Sequence, residues 1–169
     1  MVKVDKINKD FVYQVLAGVK DPEIPIMSVL DMAIIREVSI KDDTVIVFIT
    51  PTYSGCPAMK EIETSIKTEL IDKGVADVRV ITVLSPAWTT DWMSDEAKEK
   101  LRQSGIAPPQ GSAKDNNDPF KIITEERIVK CPYCSSTNTK LTSEFGSTAC
   151  KSLYHCNSCG TPFDYFKCH

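Results

Sequence analysis

The chain has 169 residues, with 20 basic against 23 acidic side chains and a formal net charge of -3. That length holds one ordinary domain plus a small module, and the absent basic excess argues against a general nucleic-acid binder. No apolar run reaches the ~18 residues of a membrane span, and the polar opening MVKVDKINKD lacks the apolar core of a secretory signal, so the expected compartment is the cytoplasm.

The two histidines, His155 and His169, both lie near the C-terminus. They cannot build the paired Glu-x-x-His motifs of a di-iron bundle or a three-histidine zinc site. No Gly-rich phosphate cradle is present either. No complete catalytic site is visible, so the chain is expected not to be an enzyme.

Ile7, Phe11, Val12, Val15, Leu16 and Val19 recur at helical spacing, which predicts a helix over residues 7–20. Pro22 disfavours helix at Asp21 and ends it there. Residues 22–33 form an irregular loop. Ile34–Ile40 and Thr44–Thr50 read as a hairpin across the polar turn Lys41-Asp42-Asp43, its second strand apolar enough to be central. Pro51–Pro57 leads into a helix at 57–73. Pro57 suits a first helical position, Met59, Ile62, Ile66 and Leu70 form the buried stripe, and Gly74 stops the helix. Val75–Leu84 is a third strand, and Thr90 or Ser94 caps a short helix through Gln103. The fold class is α+β: a small mixed three-stranded sheet with helices over residues 1–105. Residues 106–126, rich in Pro, Asn, Asp and Gly, read as a linker.

Residues 127–169 are a second module. They carry five basic and two acidic side chains and six of the seven cysteines. Cys131-Pro-Tyr-Cys134 and Cys156-Asn-Ser-Cys159 are paired Cys-x-x-Cys knuckles with 21 residues between them. Two tight turns that each offer two thiolates to one tetrahedral ion make a zinc ribbon. Gly160 lets the backbone fold under the second sulfur pair, and a module of ~40 residues needs such a staple to fold. Four thiolates also suit a single iron, which would make the module a rubredoxin-like electron carrier. With every coordination position filled by protein the site is structural. Four thiolates and a divalent ion lower the module's charge by two, which weakens any case for nucleic-acid binding. Cys150 and Cys168 are buried free thiols, alternative ligands or exposed redox groups.

Cys56 stands alone between Gly55 and Pro57, where a strand hands over to a helix. The positive end of the helix dipole and free backbone N–H groups favour a thiolate, so a lowered pKa is expected. Thr50, Thr52, Tyr53 and Ser54 surround it with hydroxyls, and Asp21 and Glu23 are candidate neighbours from the preceding loop. Such a thiolate attacks an electrophile or ligates a soft metal. The plain alternative is a buried helix-start residue. Trp88 and Trp92, four apart beside Met93, are either core packing at helical spacing or an aromatic anchor for a partner.

Asp21-Pro-Glu-Ile-Pro25, Asp31-Met-Ala-Ile-Ile-Arg36 and Thr50-Pro-Thr-Tyr-Ser-Gly-Cys-Pro57 resemble the small α+β domain of cytosolic iron–sulfur assembly factors. Ser85-Pro-Ala-Trp-Thr-Thr-Asp-Trp-Met93, Gly105-Ile-Ala-Pro-Pro109, Ser143-Glu-Phe-Gly-Ser-Thr-Ala-Cys-Lys151 and the ending Pro162-Phe-Asp-Tyr-Phe-Lys-Cys-His169 resemble the D-subunit family of the bacterial phenylacetyl-CoA epoxygenase system. The resemblance implies an accessory component in aerobic phenylacetate degradation that does not itself oxygenate the ring. It implies partners among the oxygenase, the reductase and the iron–sulfur assembly machinery, and help in maturing an iron–sulfur centre, with a cluster bound transiently. It maps Cys56 onto the family's reactive cysteine and Cys131, Cys134, Cys156 and Cys159 onto its structural zinc ligands. A purely structural subunit of the oxygenase is the other reading. Met32 and Ala33 depart from the leucine and glycine usual in the family; a glycine there would permit close backbone approach near Cys56, so Ala33 is expected to narrow the pocket or shift the loop.

Overall fold

The computed structural model describes residues 7–110 and 128–167. The chain divides into one unit ending at Trp88 and a second beginning at Thr89.

In the first unit, helix α1 (Lys9–Leu16) is capped by Asn8, whose side-chain oxygen accepts from the Phe11 N–H at 2.8 Å. It is shorter than its apolar spacing predicts. Beyond Ala17 the chain turns out, and Lys20 pairs as an isolated antiparallel bridge with Ser28. Strands β1 (Ile35–Lys41) and β2 (Thr44–Ile49) form the expected hairpin. Asp42 and Asp43 both adopt positive φ, +46° and +67°, the two left-handed positions of a tight hairpin turn. Helix α2 (Ala58–Asp72) crosses over to strand β3 (Asp77–Thr82), which pairs parallel with β2. The sheet order β1-β2-β3 makes β2 central, and Val45, Val47 and Ile49 are its buried face. The buried stripe of α2 is Ala58, Ile62, Ile66 and Leu70. Ala58 takes the place expected for Met59, because the stripe repeats every fourth residue back from Leu70.

The loop between α1 and β1 is tightly built. Asp21 is only 5% exposed, and its Oδ1 accepts from the N–H groups of Glu23 and Ile24 at 2.8 and 2.9 Å. Asp31 Oδ2 accepts from both the N–H and the hydroxyl of Ser28. At its exit Ala33 has φ +51°, a left-handed conformation that costs a non-glycine residue about 1–2 kcal/mol. A glycine would adopt it without that cost.

In the second unit, a single 3₁₀ turn (Thr90–Trp92) precedes helix α3 (Asp95–Gln103), capped by Ser94. Strands β4 (Ile106–Ala107), β5 (Thr139–Ser143), β6 (Lys151–Cys156) and β7 (Pro162–Phe166) form a sheet in the order β4-β7-β6-β5. Two expectations need correction. The boundary set at residue 105 falls instead after Trp88, and α3 belongs with the cysteine-rich unit. The linker set at 106–126 begins later, because Ile106 and Ala107 pair parallel with Asp164 and Tyr165 of β7. Ala107 is fully buried beside Val129, Tyr154 and Phe163, and that burial is what recruits it. The segment 111–126 lies outside the described residues. The Ser143–Lys151 segment forms the β5–β6 connection. Gly146 donates its N–H to the Lys151 carbonyl, and the buried Lys151 ammonium sits 3.8 Å from Asp164 Oδ2.

Candidate metal centre and thiol site

Cys131 and Cys134 lie on the turn before β5, and Cys156 and Cys159 close the turn between β6 and β7. All four Sγ atoms lie within 4.8 Å of one another. The cross-knuckle pairs Cys131–Cys159 and Cys134–Cys156 stand 3.8 and 3.6 Å apart. A tetrahedral ion with metal–sulfur bonds of about 2.3 Å sets its ligand sulfurs about 3.8 Å apart, so the four are placed to share one metal ion. Cys131 and Cys156 are buried, while Cys134 and Cys159 face solvent. Each knuckle turns under its second sulfur through a left-handed residue, Ser135 at φ +60° and Gly160 at φ +73°. The glycine was legible in the sequence; Ser135 was not, although it holds the equivalent place after the second cysteine of its knuckle.

The electrostatics describe a site suited to a cation. The Thr161 hydroxyl and N–H bring the Cys159 thiol down to about 6. The Ser136 N–H favours the Cys134 thiolate, yet desolvation and the three neighbouring sulfurs push Cys134 up to about 12. Four sulfurs this close cannot all ionise beside one another, and a metal ion takes the place of the shared protons.

Cys56 is half-buried in the loop from β2 to α2, with its N–H on the Tyr53 carbonyl at 3.2 Å. The helix mouth is there: the Ala58 N–H donates to the Cys56 sulfur, and the Thr52 hydroxyl does the same. The expected lowering of its pKa is nonetheless wrong. Burial pushes the Cys56 thiol up, and the negative charges of Glu23 and Asp21 push it further, together outweighing both donors. The two carboxylates that sequence spacing could only name as neighbours lie near enough for their charge to add to the effect of burial on the sulfur. Replacing the charge should show this directly. In Glu23→Gln, alkylation of the Cys56 peptide by iodoacetamide should reach its half-maximal rate at a lower pH than in wild type, and so run faster near pH 8. A superimposable pH profile would remove Glu23 from the site.

The remaining candidates separate cleanly. Thr52 is buried and bonded to Cys56, Ser54 is exposed, and Thr50 is buried with no hydrogen-bond partner for its hydroxyl among the described residues. Cys150 is buried with its sulfur 3.0 Å from the Thr148 hydroxyl, and it is not part of the four-sulfur cluster. Cys168 and His169 lie outside the described residues. Trp88 does not serve as an exposed anchor: it is 4% exposed, and its indole Nε1 donates to the Met32 carbonyl at 2.9 Å. Trp92 belongs to the second unit and is half-buried. Thr89 is extended, with φ -142° and ψ 146°, so no helix joins the two.

Residues 9–85 match the family profile described as iron-sulfur cluster assembly protein, and residues 115–167 match the PaaD zinc beta ribbon domain. Fold and sulfur site thus define an iron–sulfur assembly-type domain joined to a metal-binding ribbon. The chain is 44% identical, over 93% of its length and 91% of the relative's, to the Escherichia coli K12 protein named as the D-subunit of 1,2-phenylacetyl-CoA epoxidase, and it belongs to that D-subunit family. A protein of Porphyromonas gingivalis named Fe-S protein maturation auxiliary factor is 37% identical over 53% of this chain and 87% of its own. The auxiliary factor SufT of Staphylococcus aureus is 37% identical over 48% of this chain and 93% of its own. Among solved structures, a domain of unknown function from Bacillus anthracis superposes with TM-score 0.52 at 26% identity, over 55% of this chain and 90% of that one. A conserved hypothetical protein from Thermotoga maritima gives TM-score 0.50 at 29% identity, over 58% and 97%. The curated relatives carry the names of an epoxidase component and of auxiliary factors. No helix among the described residues is long and apolar enough to cross a membrane.

Proposed function

We propose that the chain is a cytoplasmic, non-oxygenating accessory component of a phenylacetyl-CoA epoxygenase system that helps a partner acquire its iron–sulfur centre through Cys56. The observation that carries this reading is the setting of Cys56. It is a half-buried thiol at a helix mouth, near Asp21 and Glu23, in a domain matched to iron–sulfur assembly proteins. Two carboxylates disfavour attack by an anionic reagent. They favour a soft cation, which displaces the thiol proton and is drawn in by the same charges that hold the proton on. A cluster or an iron ion in transit is such a cargo, and it is substrate here, not a resident cofactor.

The four-sulfur ribbon takes one structural zinc in this reading, and Trp92 is a candidate contact for the partner. The client is the oxygenase or its reductase, supplied by the iron–sulfur assembly machinery; neither nucleic acid nor membrane is involved. The test is co-production of the chain with reductase and oxygenase. Beside Cys56→Ser, iron and acid-labile sulfide in the client should fall to the level found when the chain is omitted. Full metallation beside that variant would end the proposed role of Cys56. The exposure of Cys134 and Cys159, which brings the centre close to the surface, favours a rubredoxin-like electron carrier as the second reading. Anaerobically purified, colourless protein with one zinc per chain would exclude it.

A further inference from the structure

The two knuckles are tied to each other by side chains that are not sulfur ligands. Ser136 Oγ lies 2.7 Å from Ser158 Oγ. Behind them, Asn157 Nδ2 donates to Asn138 Oδ1 at 3.0 Å, and the Asn157 N–H donates to the Asn138 carbonyl at 2.9 Å. Ser136 follows Cys134 by two positions and Ser158 directly precedes Cys159, so both flank the solvent-facing sulfurs. Each knuckle is also closed on itself. The Cys131 N–H donates to the Ser136 carbonyl and the Ser135 N–H to the Cys131 carbonyl; the Cys156 N–H donates to the Thr161 carbonyl and the Gly160 N–H to the Cys156 carbonyl. With both turns rigid, the soft coordinate left is their separation. An ion leaving past Cys134 and Cys159 needs that separation to grow. The Ser136 N–H also donates to the Cys134 sulfur, so displacement of Ser136 is felt at a ligand.

We propose that Ser136 and Ser158, backed by Asn138 and Asn157, are positioning residues that form a hydroxyl clasp across the knuckles and slow metal exchange on the solvent-facing side. The clasp does not touch the ion; in the loaded ribbon it keeps the two knuckles together, so the sulfurs part less often and the ion leaves more slowly. This rests on the four sulfurs being a metal site.

The experiment follows zinc release from the loaded full chain into an excess of a chromophoric chelator. Ser136→Ala and Ser158→Ala should each speed release about fivefold, the worth of one modest hydrogen bond. The double variant should be no faster than either single one, because both remove the same bond. Ser158→Thr, which keeps the hydroxyl, should restore the wild-type rate. Co²⁺ titration of the metal-stripped variants gives a second readout, with weaker binding and an unchanged tetrahedral thiolate spectrum expected. Single variants with wild-type release and wild-type Co²⁺ affinity, or single effects that simply multiply in the double variant, would overturn the clasp. A wild-type chain that takes up no metal would instead overturn the metal site on which the clasp rests.

Discussion

Removing the metal, or replacing any one of Cys131, Cys134, Cys156 and Cys159 by serine, should unfold β5, β6 and β7 while β1, β2 and β3 stay folded. The ligands are themselves the core of their unit: Cys131 and Cys156 are buried against Val129, Tyr154, Phe163 and Tyr165. The aromatic part of that core is small. Tyr154 stacks on Phe163 at 5.9 Å between ring centres and meets Tyr165 edge-on at 5.8 Å. So few apolar side chains do not offset the ordering of a whole module, and a structural four-thiolate ion contributes about 10–16 kcal/mol that nothing else replaces. Near-ultraviolet circular dichroism of the ribbon tyrosines should collapse on chelation. The buried thiol of Cys150 should become reactive to alkylation at the same time. Acid should act in the same direction as chelation. The ligands bind as thiolates, so protons compete with the metal, and affinity falls as pH falls. A Cys150 thiol that stays protected after complete metal removal would show that the ribbon folds without its ion.

The second large effect is at Trp88. Trp88→Ala should cost about 3–5 kcal/mol, the usual cost of emptying a buried aromatic site, read as a lower urea midpoint for the first unit. Trp88→Phe should recover most of the packing but strand the Met32 carbonyl, at about 1–3 kcal/mol if it stays dry. The consequence should reach the thiol site. The indole holds the Met32–Ala33 corner, whose left-handed alanine is already strained. The carbonyl of the next residue, Ile34, accepts the Thr50 N–H at 2.9 Å, and Thr50 opens the loop that carries Cys56. Loosening Trp88 should therefore quicken Cys56 alkylation. Unchanged stability in Trp88→Ala would show that the indole does not hold this corner.

Much of this molecule is legible locally. Cys-x-x-Cys pairs specify two turns because each needs only four residues, and spacing alone makes their four sulfurs candidates for one ion. The α2 stripe and the central β2 follow from hydrophobic periodicity, and the Ser94 cap follows from a side chain that satisfies the nearest orphan N–H group. The local reading fails where a residue's fate depends on something distant in the chain. Ile106 and Ala107 look like the start of a linker until β7, nearly sixty residues later, offers an edge to pair with. Trp88 and Trp92 look like one helical stripe, but Thr89 between them is extended, because Trp88 is drawn into the core by the Met32 carbonyl.

Cys56 shows the division most plainly. Its place between a strand and a helix N-terminus is written in neighbouring residues, and so is the donor from Ala58. Those features alone argue for a thiolate. What raises its pKa is first the burial that only the assembled core provides, and then the charge of Glu23 and Asp21, more than thirty residues away. Short-range geometry and residue chemistry are encoded contiguously; electrostatic environment and solvent exclusion are sums over everything that packs nearby. The chain therefore announces where its sulfurs are, and folding settles whether each one is neutral, ionised or ready to hold a metal.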